Sequence, residues 1–158
     1  MKTVIRRLAL VLCLALLLLT GQAAAAGAGR SLTVNGKTLD LSDLPRQVWE
    51  EDGCVMIPLR RTAEALGCTV SWLPEERCAR VEDSIQSVAV RAGSAEAGWV
   101  GKLTVINLTR TETMDAKAVI LEGTTYVPAK LFEGFFDQVT VGEACVSVMP
   151  GICTPDGR

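Results

Sequence analysis

Gly53-Cys54-Val55-Met56-Ile57-Pro58-Leu59-Arg60 is the stretch on which the fold turns. Val55-Met56-Ile57 is a short apolar run suited to a strand. Pro58 ends that run and can open a helix, because the first helical N–H has no partner to lose. In the helix expected over Leu59 to Leu66, Leu59, Ala63 and Leu66 share one face. Arg60 and Glu64 are spaced to pair at i and i+4, and Gly67 suits the position just past the helix end. The motif returns as Gly123-Thr124-Thr125-Tyr126-Val127-Pro128-Ala129-Lys130, again followed by an apolar helical stretch containing Phe132, Phe135 and Phe136. The three phenylalanines lie at helical spacing and are expected to pack in the core.

Outward from these two anchors, period-two patterning predicts strands. Leu32-Thr33-Val34 runs into the Asn35-Gly36 turn signal and returns from Thr38 to Leu41 as a hairpin. Cys68, Val70 and Trp72 alternate with Thr69 and Ser71, and Ala79 and Val81 alternate back after a turn through Leu73-Pro74-Glu75-Glu76. That register sets Ala79 against Val70, turns Cys78 away from the core side and assigns Trp72 to core packing. Val139 and Val141, a Gly142-Glu143 turn, and Ala144, Val146 and Val148 repeat the pattern, with Cys145 turned away like Cys78. Ile85 to Val90 is a further strand. Trp99-Val100-Gly101-Lys102 can be laid over Val34-Asn35-Gly36-Lys37 as the start of a second copy. The expected fold is therefore α+β: two quasi-repeated units, each a small antiparallel sheet with one short helix, packed as one domain. The domain spans residues 31–149, with sub-repeats about 32–92 and 98–149 and a loose tail over 150–158.

The first residues read as a secretory leader. Lys2, Arg6 and Arg7 precede an uncharged run from Leu8 to Thr20, and Gln22-Ala23-Ala24-Ala25-Ala26 offers the small side chains of a cleavage site. The run is short of the roughly 20 apolar residues that a membrane span needs, so cleavage after Ala26 is expected, with no integral span in the mature chain. Cys13 is a poor lipidation site because the bulky Leu12 precedes it. The mature protein is expected to be secreted, extracellular or at the cell surface.

Charge and composition exclude several function classes. The leader holds three of the sixteen basic residues and none of the eighteen acidic ones, so the mature chain has an acidic excess of five. An acidic surface without basic runs argues against nucleic acid as a partner. Histidine is absent, which removes Ser-His-Asp and Cys-His arrangements, an imidazole base and histidine metal ligands. The expectation is a protein that is not an enzyme and carries no cofactor and no metal. Cys54, Cys68, Cys78, Cys145 and Cys153 remain after cleavage, none at the close spacing of structural zinc sites. Cys54 opens a strand reaching about 13 Å to Pro58, and a helix from Leu59 to Leu66 returns about 12 Å. If the two pack antiparallel, Cys68 comes back beside Cys54, and a disulfide between them is expected in an exported chain.

Val34-Asn35-Gly36-Lys37, Val55 to Arg60 with Ala63 and Ala65-Leu66-Gly67, Val70-Ser71-Trp72 and the Tyr126-Val127-Pro128 echo together resemble the copper amine oxidase N-terminal-like domain, also called the stalk domain. The resemblance runs from about Ser31 to Met149. It implies a non-catalytic module of a helix on a small antiparallel sheet, common in exported proteins of Gram-positive bacteria. The second copy departs from the pattern at Ala129-Lys130-Leu131 and Phe135-Phe136-Asp137, where Leu-Arg and Leu-Gly would stand. The family's copper is held by histidines and its cofactor comes from a tyrosine in another domain, so neither is implied for this chain.

Three residues are candidates for binding. Trp99 lies in the turn-rich, small-residue stretch from Gly93 to Gly101; packing is the leading account of its ring, and if any aromatic ring stacks on a sugar or clamps a partner it is this one. Arg60 and Lys130 take matching positions after the two prolines, as paired anion contacts or as ordinary surface ion pairs. The function expected is a non-catalytic interaction or scaffolding module of the bacterial cell surface, contacting cell-wall polymer or another exported protein. The alternatives are a soluble small-ligand, inhibitor or sensor domain, and a thiol redox protein, which the lack of a Cys-x-x-Cys pair disfavours.

Overall fold

A computed structural model describes residues 29–151 of the 158-residue chain. The expected leader with Cys13, and residues 152–158 with Cys153, lie outside the described residues. Among the described residues, thirteen strands and two short helices make a sheet-rich α+β fold. The strands are β1 (Ser31–Val34), β2 (Lys37–Thr38), β3 (Trp49–Glu51), β4 (Cys54–Pro58), β5 (Thr69–Leu73), β6 (Cys78–Glu82) and β7 (Gln86–Arg91). They continue as β8 (Glu96–Gly101), β9 (Arg110–Thr113), β10 (Val119–Leu121), β11 (Thr124–Pro128), β12 (Gln138–Val141) and β13 (Cys145–Met149). Helix α1 (Leu59–Ala65) follows β4, and a 3-10 helix (Ala129–Phe135) follows β11.

The strands form three sheets, ordered β12-β13-β1-β2, β10-β11-β4-β3 and β5-β6-β7-β8-β9. In the central one the two proline-closed strands lie antiparallel, with Ile57 opposite Val127 and Met56 opposite Pro128. Each is an inner strand, and Met56, Ile57, Tyr126 and Val127 are buried. Asn35 and Gly36 both take positive φ, 49° and 74°, so the expected β1–β2 hairpin closes through a type I′ turn. The last hairpin joins the first: β13 runs parallel to β1, with Leu32 opposite Val146 and Val34 opposite Val148. All four of these side chains are buried.

Helix α1 begins and ends as the local sequence dictates. Pro58 stands at its N-cap, and Thr62 Oγ1 donates to Pro58 O at 2.8 Å, satisfying a buried hydroxyl. Gly67, at φ +87°, turns the chain out: its N–H reaches Glu64 O at 3.0 Å and the Cys68 N–H reaches Ala63 O at 2.9 Å. These two bonds make a Schellman cap. Leu59 and Ala63 are fully buried against the sheets, and burial of a leucine side chain contributes roughly 1.5–3 kcal/mol.

Several expectations about the elements need correction. The stretch around Trp99 is strand rather than turn: β8 pairs along its length with β7 and is flanked by β9. Gly101 therefore ends a strand and does not repeat the Asn35-Gly36 hairpin. The β5–β6 turn lies one residue later than expected, pairing Leu73 with Cys78 and Trp72 with Ala79. Trp72 still faces the inner side, but β5 is an edge strand, so its ring overhangs the core and is 41% exposed. Phe136 is 45% exposed because it takes the left-handed conformation, at φ 66°, that ends the 3-10 helix, whereas Phe132 and Phe135 are buried.

Candidate functional site

Trp99 lies on the inner face of β8 and is 1% exposed. Phe135 meets its ring edge-on at 4.8 Å between centroids, and the Arg110 guanidinium stacks over it at 4.4 Å. Gly134 lies against the ring so closely that a Cβ there would stand 2.2 Å from Trp99 Cζ2. Gln86 Nε2 and Arg110 Nη2 both donate to Gly134 O, at 2.8 and 3.2 Å. Trp99 therefore clamps the 3-10 helix to the five-stranded sheet, and its ring is closed to a surface partner. The signal for this was the Ala97/Trp99 alternation, but only the pairing of β9 with β8 turns that alternation into burial.

Arg60 and Lys130 are both exposed, and they are not brought together. Because β4 and β11 run antiparallel, the chain leaves Pro58 and Pro128 in opposite directions. Arg60 Nη1 donates to Glu64 Oε1 at 3.3 Å and to Val70 O at 3.2 Å. Lys130 Nζ stands 3.1 Å from Asp115 Oδ2, and that hydrogen bond and charge raise the lysine's pKa. Each cation has its own acidic partner.

Cys54, Cys68, Cys78 and Cys145 are free thiols, so the expected Cys54–Cys68 bridge is not formed. The Schellman cap hands the chain from α1 to β5, in a different sheet from β4, and the helix does not return over the start of β4. Cys54 lines a hollow with Lys130 and Asp115. Cys68 is pushed up to about 11 by burial, with the Asp83 and Asp137 carboxylates adding to the shift. Burial and then the nearby Asp83 charge also push Asp137 up to about 6, opposed by a hydrogen bond from the Gly151 N–H. Cys145 is lowered by the hydroxyls of Thr33 and Ser31. Among the described residues no group of three or more Cys, Asp or Glu side chains is close enough to hold a metal.

The exposed aromatic ring in a concavity is Trp72. A groove of about 110 Å³ is lined by Trp72, Val70, Leu59 and Pro58, with Arg60 and Arg61 among its lining residues and Thr124 and Thr125 from β11. Arg60 is steadied there by its bond to Val70 O, and Arg61 pairs with Asp43. An aromatic face beside guanidinium groups can cover an apolar or sugar surface while donating hydrogen bonds. Period-two reading put Trp72 correctly on the inner face, and nothing in the local sequence marked β5 as an edge.

Fold and groove together define a class: a small sheet-rich α+β module built on two strand-proline-helix motifs that meet at its centre. Within that class the chain belongs to the copper amine oxidase N-terminal domain family, which it matches over residues 33–144, well over half its length. In copper amine oxidases this domain is a non-catalytic part. No curated protein and no solved structure matches the chain.

Proposed function

We infer that this protein is a secreted, non-catalytic interaction module of the bacterial cell surface, contacting cell-wall polymer or another exported protein through the groove at Trp72. The observation that carries the reading is the half-exposed Trp72 ring in a groove with Arg60 and Arg61, on a domain whose family relatives use it as a non-catalytic part. Aromatic and arginine side chains are enriched at binding hot spots. Secretion rests on the basic, apolar and small-residue regions of the leader. The same reading treats the halves as quasi-repeated units, supported by the antiparallel pairing of β4 with β11, each followed by a helix.

The test is co-sedimentation of the purified protein, cleaved after Ala26, with insoluble bacterial cell walls. Saturable binding, weakened at least tenfold by Trp72→Ala and retained in Lys130→Ala, is the expected result. Binding unchanged in Trp72→Ala removes the groove from the reading. No sedimentation of either form removes wall polymer and leaves an exported protein, sought by crosslinking from a photoreactive group at position 72.

A further inference from the structure

A larger cleft of about 870 Å³ shares no lining residue with the groove at Trp72. Four turns build it: β3–β4 with Glu51 and Asp52, β5–β6 with Arg77, β7–β8 with Gly93, and the β9–β10 loop with Asp115 to Ala118. Its volume is within the range of small-molecule sites. The floor is preformed: Gly93 N–H donates to Ala118 O at 2.8 Å, Ala118 N–H to Ser94 O at 2.9 Å and Met114 N–H to Ala95 O at 2.6 Å. The side chains on that floor, Ala92, Ala95, Ala116 and Ala118, are small and leave room against the backbone.

The charges of the cleft set the ligand chemistry. Asp115 is paired with Lys130. By contrast, Arg77, Lys117 and Asp52 have no ion-pair or side-chain hydrogen-bond partner among the described residues, and Glu51 accepts only the Trp49 indole N–H at 3.1 Å. Unpaired cations and unpaired carboxylates thus border one preformed cavity. No aromatic side chain lines it, so it lacks a platform for stacking a sugar or a base. A ligand complementary to this lining offers a carboxylate to the cations Arg77 and Lys117 and an ammonium to the carboxylates Asp52 and Glu51.

We propose that this cleft is a binding site for a short zwitterionic peptide, held by its carboxylate at Arg77 and Lys117 and by its ammonium at Asp52 and Glu51. The contacts are solvent-exposed and individually weak, so affinity falls with ionic strength over the range in which the screening length shrinks from about 30 to 3 Å.

The experiment is a titration of the purified, 15N-labelled protein, followed by amide chemical shifts. The probe is a pool of linear tetrapeptides of Ala, Glu and Lys with free termini. Saturable shifts clustered at Asp52, Arg77, Gly93 and Lys117 are expected, weakened at least fivefold by Lys117→Gln, by Asp52→Asn and by 0.5 M salt. Acetylated, amidated Ala-Gln-Ala-Gln is expected to give none, and Trp72→Ala is expected to leave the shifts unchanged, which separates this site from the wall-contacting groove. The variants' own spectra report whether they fold. No saturable shifts with the pool, equal shifts with the blocked neutral peptide, or unchanged affinity in folded Lys117→Gln and Asp52→Asn would each overturn the proposal.

Discussion

Gly134 is the residue with least freedom to change. Its missing side chain is what lets the Trp99 ring lie against the 3-10 helix, and an added Cβ would stand 2.2 Å from ring carbon. Overpacking of this kind costs about 1–3 kcal/mol, so Gly134→Ala is expected to lower the urea midpoint of unfolding by that equivalent. An unchanged midpoint would mean that the helix yields to the ring. Asp137 makes a second prediction, with the opposite sign. Its folded-state pKa of about 6 is above the ordinary value of 3.8, so the folded state holds the proton more tightly than the unfolded one. The contribution is therefore fully present below about pH 4 and is lost as pH rises through about 6. The carboxyl is half-exposed and solvent screens it, so the loss is set at about 1 kcal/mol rather than the nominal ~3 for a two-unit shift. Asp137→Asn is expected to flatten the fall in stability between pH 4 and 7, read from urea titrations across that range, and an unchanged slope would assign it to other groups.

Among the elements, α1 was legible and the Trp99 strand was not, for a physical reason. Pro58, the Leu59/Ala63 face and Gly67 act within a few residues, and each does in the fold what its local chemistry requires. The α1 end can be tested directly: Gly67 sits at φ +87°, where any side chain is strained, whereas Gly98 has ordinary backbone and open space about its Cβ. Gly67→Ala is expected to cost about 1 kcal/mol and Gly98→Ala close to nothing. Equal effects by thermal unfolding would show that the cap adds no stability. The exposure of Trp72 and the burial of Trp99 depend instead on which strands lie at sheet edges. β5 ends its sheet, so Trp72 protrudes; β9 covers β8, so Trp99 is enclosed. Sheet order, set by residues distant in sequence, decides both, and period-two patterning reports only the face of a strand, not its neighbours. The cleft bordered by Asp52, Arg77 and Lys117 was invisible for the same reason, because four separate turns build it. The Cys54–Cys68 pairing failed at this scale too: strand and helix lengths were right, but the helix leads to another sheet.

At the scale of the whole molecule, the first and last hairpins depend on each other. β1 has only the two-residue β2 on its other side, so its parallel pairing with β13 supplies most of its ladder. The central sheet likewise takes β4 from the first half and β11 from the second. Neither half can bury Leu32, Val34, Ile57 and Val127 alone, so the two halves are expected to unfold together. Calorimetry of the full chain should give one transition, with calorimetric and van't Hoff enthalpies equal. A chain ending at Asp137 lacks β12 and β13 and leaves the β1 ladder unpaired on the side where Val146 and Val148 now stand. Domains of this size retain only about 5–15 kcal/mol of net stability, and four buried valine and leucine side chains at roughly 1.5–3 kcal/mol each account for a large part of it. The truncated chain is therefore expected to show no cooperative near-ultraviolet transition on heating. If it instead melts in a single sharp step close to that of the full chain, the five-stranded and central sheets suffice as a folding unit, and the terminal hairpins are an added layer.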